Sequence, residues 1–353
     1  MKKTDSPKQD GLGRRSALQG LALLAASGAL LPAAVRAQGV GTVPLESWNE
    51  GRTKQAILDF VRAVTDPAGP DFVPVEERIA TFDQDGTLWV EQPIYTQVVF
   101  ALERVPALVA RKPELKDREP YKTILSGDRQ AMARLPARDL DEIVVATMAD
   151  LSVEEMEAET RKWIASARHP RWNRPYTELA YQPMLELLQF LRGNGFKTYI
   201  VSGGGQDFVR VYAQQVYGIP PEQVIGTAGA TKFAYGKDGK PYLTTEPRVL
   251  LNDNYAGKAE GIHLEIGRRP RLACGNSIGD QQMLEYTGAG KGARLMMLVM
   301  HDDAGREYAY GPAQGLPDST VGTFSQALYD EAKTSGWTVI SMKNDWKRVF
   351  AFE

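Results

Sequence analysis

Apolar residues in this chain gather into five short runs, and each run ends in small or polar residues. Arg78 to Phe82, Phe196 to Val201, Val224 to Gly226, Arg271 to Cys274 and Leu295 to Met300 read as strands. Between them the apolar positions recur at helical spacing. Ile57, Leu58, Val61 and Val64 mark a helix over Gln55 to Val64. Met184 to Leu191 is a second helix, stopped by Gly193-Asn194-Gly195. Asp207 to Tyr217 is a third, stopped by Gly218 and Pro220-Pro221. Ser152-Val153-Glu154-Glu155 has the form of a capping box for a helix reaching Ala167. A hairpin is expected over Phe233 to Leu243, because Asp238-Gly239 favours a tight turn.

Strands alternating with helices predict a parallel sheet covered by helices. The segment from Val90 to Tyr181 is helical in pattern, with polar interruptions. It is too long for a connection and reads as an inserted, mainly helical cap over the carboxyl edge of the sheet. The expected organisation is therefore 1–37 as an export signal, 38–89 as the start of the core, 90–181 as the cap and 182–353 as the rest of the core.

The first 37 residues stand apart. Arg14-Arg15 precedes the Ala/Leu-rich run Leu21 to Val35, which ends in Val35-Arg36-Ala37. A basic start, a short apolar run and small residues at the end read as an export signal cut after Ala37. The paired arginines resemble a twin-arginine signal. The twin-arginine export machinery would then be a partner before cleavage, and the mature protein would be periplasmic or secreted. A stable membrane anchor is not expected, since Gly28 and Pro32 interrupt a run already short of a spanning helix.

The chain has 353 residues, 43% hydrophobic and 24% charged, an ordinary soluble composition. Removing residues 1–37 removes six Lys or Arg and two acids and moves the formal charge from −2 to −6. An acidic mature protein is a poor match for nucleic acid or an anionic membrane. The single cysteine, Cys274, cannot form an internal disulfide and reads as a buried strand residue. With three His and one Cys, a zinc site of the usual kinds is not expected.

Polar groups follow four of the five strands. Asp83-Gln84-Asp85-Gly86-Thr87 follows the first, Ser202-Gly203-Gly204-Gly205 the second, and Gly275-Asn276-Ser277-Ile278-Gly279-Asp280 the fourth. His301-Asp302-Asp303 follows the fifth, and Lys258 stands between the third and fourth. Open α/β sheets bind ligands at this edge. Carboxylates there suit a hard cation, a covalent nucleophile and a general acid. A Ser-Gly-Gly turn lets backbone N–H groups approach an anion with no Cβ in the way.

The ordered set Asp83-x-Asp85-Gly86-Thr87, Ser202-Gly203-Gly204, Lys258 and Gly275-Asn276-Ser277-Ile278-Gly279-Asp280 resembles the haloacid dehalogenase superfamily. The resemblance is to its phosphoserine-phosphatase-like phosphatases. It implies a doubly wound, Rossmann-like α/β core with an inserted cap, and Mg²⁺-dependent hydrolysis of a phosphomonoester through an aspartyl phosphate. On that resemblance Asp83 is the nucleophile and Asp85 the general acid and then base. Mg²⁺ is held by Asp83 and Asp280 and by the backbone carbonyl of Asp85. Ser202, Gly203 and Lys258 hold the phosphate. An acid two positions after the nucleophile favours phosphoryl chemistry, since a departing halide needs no proton.

Two positions depart from the family pattern. Asn276 stands where Asp is frequent, and is expected to hydrogen-bond a metal-bound water. Glu91 lies near the position of a substrate-reading Glu, offset by about one residue, and reads either as a substrate contact or as a solvated residue at the cap junction. His301 reads as a site residue or as part of an acidic turn. Tyr95, Trp163, Trp172 and Tyr176 read as cap packing, or one of them as a residue that lines the pocket. Two other classes are open. Gly275-x-Ser277-x-Gly279 also fits the nucleophile elbow of serine hydrolases, although no His follows Asp302 or Asp303 to complete a triad. A non-catalytic exported phosphate binder is the third.

Overall fold

The computed structural model describes residues 45–353 apart from Ala133, so the expected export signal lies outside the described residues. In chain order the elements are α1 (Arg52–Thr65), β1 (Ile79–Phe82), α2 (Thr96–Arg111), α3 (Tyr121–Leu125), α4 (Arg129–Met132), α5 (Ala137–Met148) and α6 (Val153–Ser166). They continue with α7 (Gln182–Gly193), β2 (Lys197–Gly205), α8 (Gln206–Tyr217), β3 (Val224–Tyr235), β4 (Pro241–Leu251) and α9 (Ala256–Ile266). The last are β5 (Leu272–Gly275), α10 (Gln281–Gly288), β6 (Leu295–Met300), α11 (Gln326–Thr334), β7 (Thr338–Ser341) and α12 (Met342–Asp345).

The strands form one seven-stranded sheet in the order β4-β3-β2-β1-β5-β6-β7. Every neighbouring pair is parallel except β3–β4, which is antiparallel. Successive side chains on a strand face opposite sides, and the core divides accordingly. Phe82, Ile200, Cys274 and Met297 belong to one apolar cluster with residues of α1, α7 and α8. Val201, Ala273 and Leu298 belong to another with residues of α9, α10 and α11. Helices thus cover both faces, as a doubly wound α/β fold requires. The order reverses around β1, the central strand, and this places the loop after β1 beside the loops after β2 and β5.

Helices α2 to α6 lie between β1 and α7 in the chain. Ile143 of α5 packs with Ala101, Val105 and Leu108 of α2 in a separate small core. The capping box forms as expected: Ser152 and Glu155 exchange hydrogen bonds at the start of α6. Strand β4 also reaches this layer, since Thr245 N donates to Leu151 O at 2.8 Å and Asp150 N to Thr245 O at 3.1 Å.

Three strand boundaries differ from expectation. Strand β2 runs on through Ser202-Gly203-Gly204-Gly205 instead of ending before it; its pairing with β3 slips between Ser202 and Gly205. Strand β3 is twelve residues long rather than three, and with β4 makes one long hairpin. Strand β7 has no counterpart among the expected strands. Among the described residues no helix is long and apolar enough to cross a membrane.

Candidate active site

Strand β1 is buried over its whole length, and its apolar run pins the turn that follows. Asp83 N donates to Cys274 O of β5 at 2.9 Å, so the first carboxylate is tied to the neighbouring strand. Gly86 makes the turn with φ +77°; a Cβ there would lie 2.1 Å from Asn276 Nδ2 and 2.3 Å from Glu91 Oε1. Only glycine satisfies both the left-handed backbone and that close approach.

Lys258, on α9, is buried and points at the same spot. Its ammonium donates to Asp83 Oδ1 at 2.5 Å, Asp280 Oδ1 at 2.5 Å and Val201 O at 2.8 Å. Those three bonds use all its protons. Both carboxylate oxygens lie 2.5 Å from one nitrogen, so they are at most 5 Å apart. Asp280 Oδ2 accepts from the backbone N–H groups of Asn276 at 2.9 Å and Ser277 at 3.0 Å, which fixes the loop after β5.

Asp85 opens onto a cavity of about 500 Å³ that Asp83, Ser202, Lys258 and Asp280 also line. Trp89 Nε1 donates to Asp85 Oδ1 at 2.6 Å and orients it. Its carboxyl faces the cavity yet lies deep in the protein, and this desolvation raises its pKa to about 6, against the Trp89 hydrogen bond and Lys258. Desolvation first, then Asp280, also pushes Asp83 above the ordinary carboxylate range, with Lys258 opposing. Burial disfavours charge on Lys258, but Asp280 and Asp83 outweigh it and hold the ammonium above its usual pKa.

Ser202 is buried at the end of the straight part of β2, and its Oγ accepts from Gly204 N at 3.0 Å. Gly203 and Gly204 line the cavity beside it. Gly205 N donates to Gln97 Oε1 of α2 at 2.6 Å, which ties this segment to the first helix after the turn.

Glu91 is not solvated. It is 2% exposed, and its Oε1 accepts from Asn276 Nδ2 at 2.6 Å and from Tyr310 OH at 2.8 Å. Desolvation lifts its pKa well above the carboxylate range. Asn276 has its amide nitrogen on Glu91, and its Oδ1 accepts from Thr87 Oγ1 at 3.3 Å. The side chain expected to face a metal-bound water is thus held by protein on both ends. His301 is buried behind the turn. Its Nε2 donates to Gly86 O at 2.8 Å, its Nδ1 lies 3.0 Å from buried Glu307 Oε2, and its ring stacks on Tyr310.

Asp302 and Asp303 are apart from the carboxylate group. Asp302 caps α12 through Ser341 Oγ and Lys343 N, and Asp303 pairs with Arg306. Trp163 stacks on Tyr176, and Trp172 packs against His169. Tyr95 lines the cavity. Cys274 is fully buried, and desolvation holds its thiol well above the usual range, so it is inert. Ser277 accepts from Gly279 N and donates to Asp280, while His301 uses both ring nitrogens elsewhere. No serine triad is assembled there.

Trp89, Tyr310, Glu307 and Gln97 are not among the expected site residues. Trp89 has a signal in the chain, four positions after Asp85 on a tight turn; the other three are brought in only by the fold.

Among the described residues no group of three His, Cys, Asp or Glu side chains is arranged to hold a metal. Magnesium does not need one: it takes oxygen ligands, keeps several waters and is held by one or two carboxylates. Asp83 and Asp280 already share one cation, the Lys258 ammonium. Around it Asp83, Asp85 and Asp280 outnumber the one ammonium. The donor set and its charge fit a hard divalent ion.

A family description, haloacid dehalogenase-like hydrolase, matches residues 80–285. No curated protein matches. Solved structures that resemble the chain include a protein of unknown function from Bordetella pertussis Tohama I, 17% identical with a TM-score of 0.46, over 75% of this chain and 98% of that one. A conserved protein of unknown function from Anaerococcus prevotii is 14% identical with a TM-score of 0.46, over 71% and 86%. A phosphoserine phosphohydrolase-like protein from Francisella tularensis is 18% identical with a TM-score of 0.35, over 64% and 88%.

Proposed function

The chain belongs to the haloacid dehalogenase-like hydrolases, and from that premise we propose that it hydrolyses phosphomonoesters through a phosphorylated Asp83. The observation that carries this reading is the single cluster of Asp83, Asp85, Lys258 and Asp280 lining one cavity.

The division of labour follows from charge and position. An Asp83 oxygen attacks phosphorus, and the bond from phosphorus to the leaving oxygen breaks. Asp85, poised near pKa 6 and oriented by Trp89, gives its proton to that oxygen. A water then attacks the phosphorus of the acyl phosphate, Asp85 takes the water's proton, and Asp83 is released. Ser202 and the N–H of Gly203, which line the same cavity, would hold the phosphate oxygens. Lys258 offsets the repulsion between a carboxylate and an anionic ester. Bound Mg²⁺, held by Asp83, Asp280 and the carbonyl of Asp85, would supply further positive charge against the phosphoryl oxygens.

The test is phosphate release from 4-nitrophenyl phosphate with Mg²⁺, with and without EDTA. Turnover that EDTA removes and that Asp83→Asn eliminates, in a protein that stays folded, is the expected result. Wild-type rates in Asp83→Asn would overturn the nucleophile assignment.

The export reading is part of the same proposal. Residues 1–37 would direct the chain through the twin-arginine machinery to the periplasm or beyond. Mass spectrometry of protein recovered from its native host should then find a new N-terminus at Gln38. An intact N-terminus on the cellular protein would count against it.

A further inference from the structure

The cavity has two unlike halves. Its floor is the carboxylate and ammonium cluster. Other elements add apolar side chains to its lining: Val98 of α2, Val144, Val145 and Met148 of α5, Met156 of α6 and Val249 of β4, beside the polar Gln97 and Thr245. Helix α5 explains part of this. Its Ile143 and Thr147 are buried, while Val144, Val145 and Met148 remain only half-buried. An apolar side chain left facing a polar cavity is unfavourable unless a ligand covers it.

Strand β4 supplies the rest. From Gly229 to Thr231 strand β3 advances two residues, while the facing stretch of β4, Thr245 to Val249, uses four. Such a bulge re-aims side chains beside a site. Here it brings Glu246, Arg248 and Val249 to the cavity lining.

The charges on this half are mostly negative. Asp141, Asp207, Glu246 and Arg248 line it; Asp207 pairs with Arg210 and Glu246 with Arg248, which leaves the carboxylate of Asp141. Arg248 Nη2 lies 3.6 Å from Glu246 Oε2, so its charge is already met. A second phosphate or a carboxylate on the substrate would find acids and no unpaired cation.

We propose that this half of the cavity receives the leaving group, and that the substrate class is phosphate monoesters of uncharged, largely apolar alcohols. The inference rests on the phosphatase reading above and adds which esters that site selects.

The experiment compares alcohols of similar leaving-group chemistry. Phosphate release by the full chain with Mg²⁺ is measured for methyl, n-butyl and n-hexyl phosphate, for glycerol 3-phosphate and for hexane-1,6-diol bisphosphate. The expected kcat/KM rises roughly fourfold for each methylene until the wall is filled, the scale of burying one CH₂. Glycerol phosphate should behave like the methyl ester, and the bisphosphate should fall well below the hexyl ester. Val145→Ser and Met148→Glu should flatten the series, with the hexyl ester losing more than the methyl ester. A flat series in the wild-type enzyme, or preference for glycerol phosphate or the bisphosphate, would overturn the proposal while the phosphatase reading stands. Failure to hydrolyse any ester, 4-nitrophenyl phosphate included, would overturn both.

Discussion

At the scale of single residues, Glu91 and Asn276 form a matched pair. A buried acid accepts from an amide, and Tyr310 completes the bond set. Asn276→Asp replaces that donor with an acceptor facing Glu91. The expected cost is about 2–3 kcal/mol of unfolding free energy, the scale of an unsatisfied buried polar group. Adding Glu91→Gln should recover part of it, because the new amide can donate to the carboxylate introduced at position 276; a chemical-denaturation cycle that shows strict additivity would refute the pairing. Asp253 makes a different prediction. It is fully buried with both oxygens unpartnered, and desolvation, only partly offset by Lys258, raises its pKa to about 7. The folded state then holds this proton over a range where the unfolded chain has released it. Its contribution to stability therefore falls as pH rises from about 4 to about 7, and is flat above, with a slope of at most about 1.4 kcal/mol per pH unit. Melting temperatures of Asp253→Asn between pH 5.5 and 8 should decline less than those of the wild type; parallel curves would contradict the shift. Asp83, Asp85, Lys258 and Asp280 are legible in the sequence because each follows an apolar run or sits in a spaced set. The burial of Glu91 is not, since Tyr310 lies 219 positions away and only the fold brings it close.

Among the elements, the close approach of β2 and β3 shapes the phosphate end of the cavity. A Cβ on Gly226 would lie 2.8 Å from both Gln206 Cα and Gly204 O, backbone atoms that cannot swing aside. Gly226→Ala should cost about 2 kcal/mol through overpacking. It should also lower turnover by moving Ser202 and Gly203; a variant with wild-type melting and wild-type kinetics would show that the strands have room. Continuous apolar runs make β1 and β6 readable. The long hairpin is not, because much of β3 and β4 is exposed and no buried periodicity marks its extent. Strand β7, Thr338-Val339-Ile340-Ser341, holds only two successive apolar residues between polar ones, too short a run to mark a strand.

For the molecule as a whole, a cation that binds only the folded state should stabilise it. At a hundred times its dissociation constant Mg²⁺ adds about 2.7 kcal/mol, enough to raise the melting temperature by several degrees. EDTA should reverse the shift and Asp280→Asn should abolish it; an unchanged Asp280→Asn response would place the ion elsewhere. The central position of β1 also bears on how the protein is made. Its partner on one side, β5, pairs Ala80 with Leu272, a contact that spans more than half of the chain. On the ribosome, Asp83 and Asp85 emerge long before Lys258, Asp280 and Glu307 exist to balance or brace them. A growing polypeptide is therefore chemically silent until most of it has been translated, and premature termination leaves debris with no residual enzymatic competence.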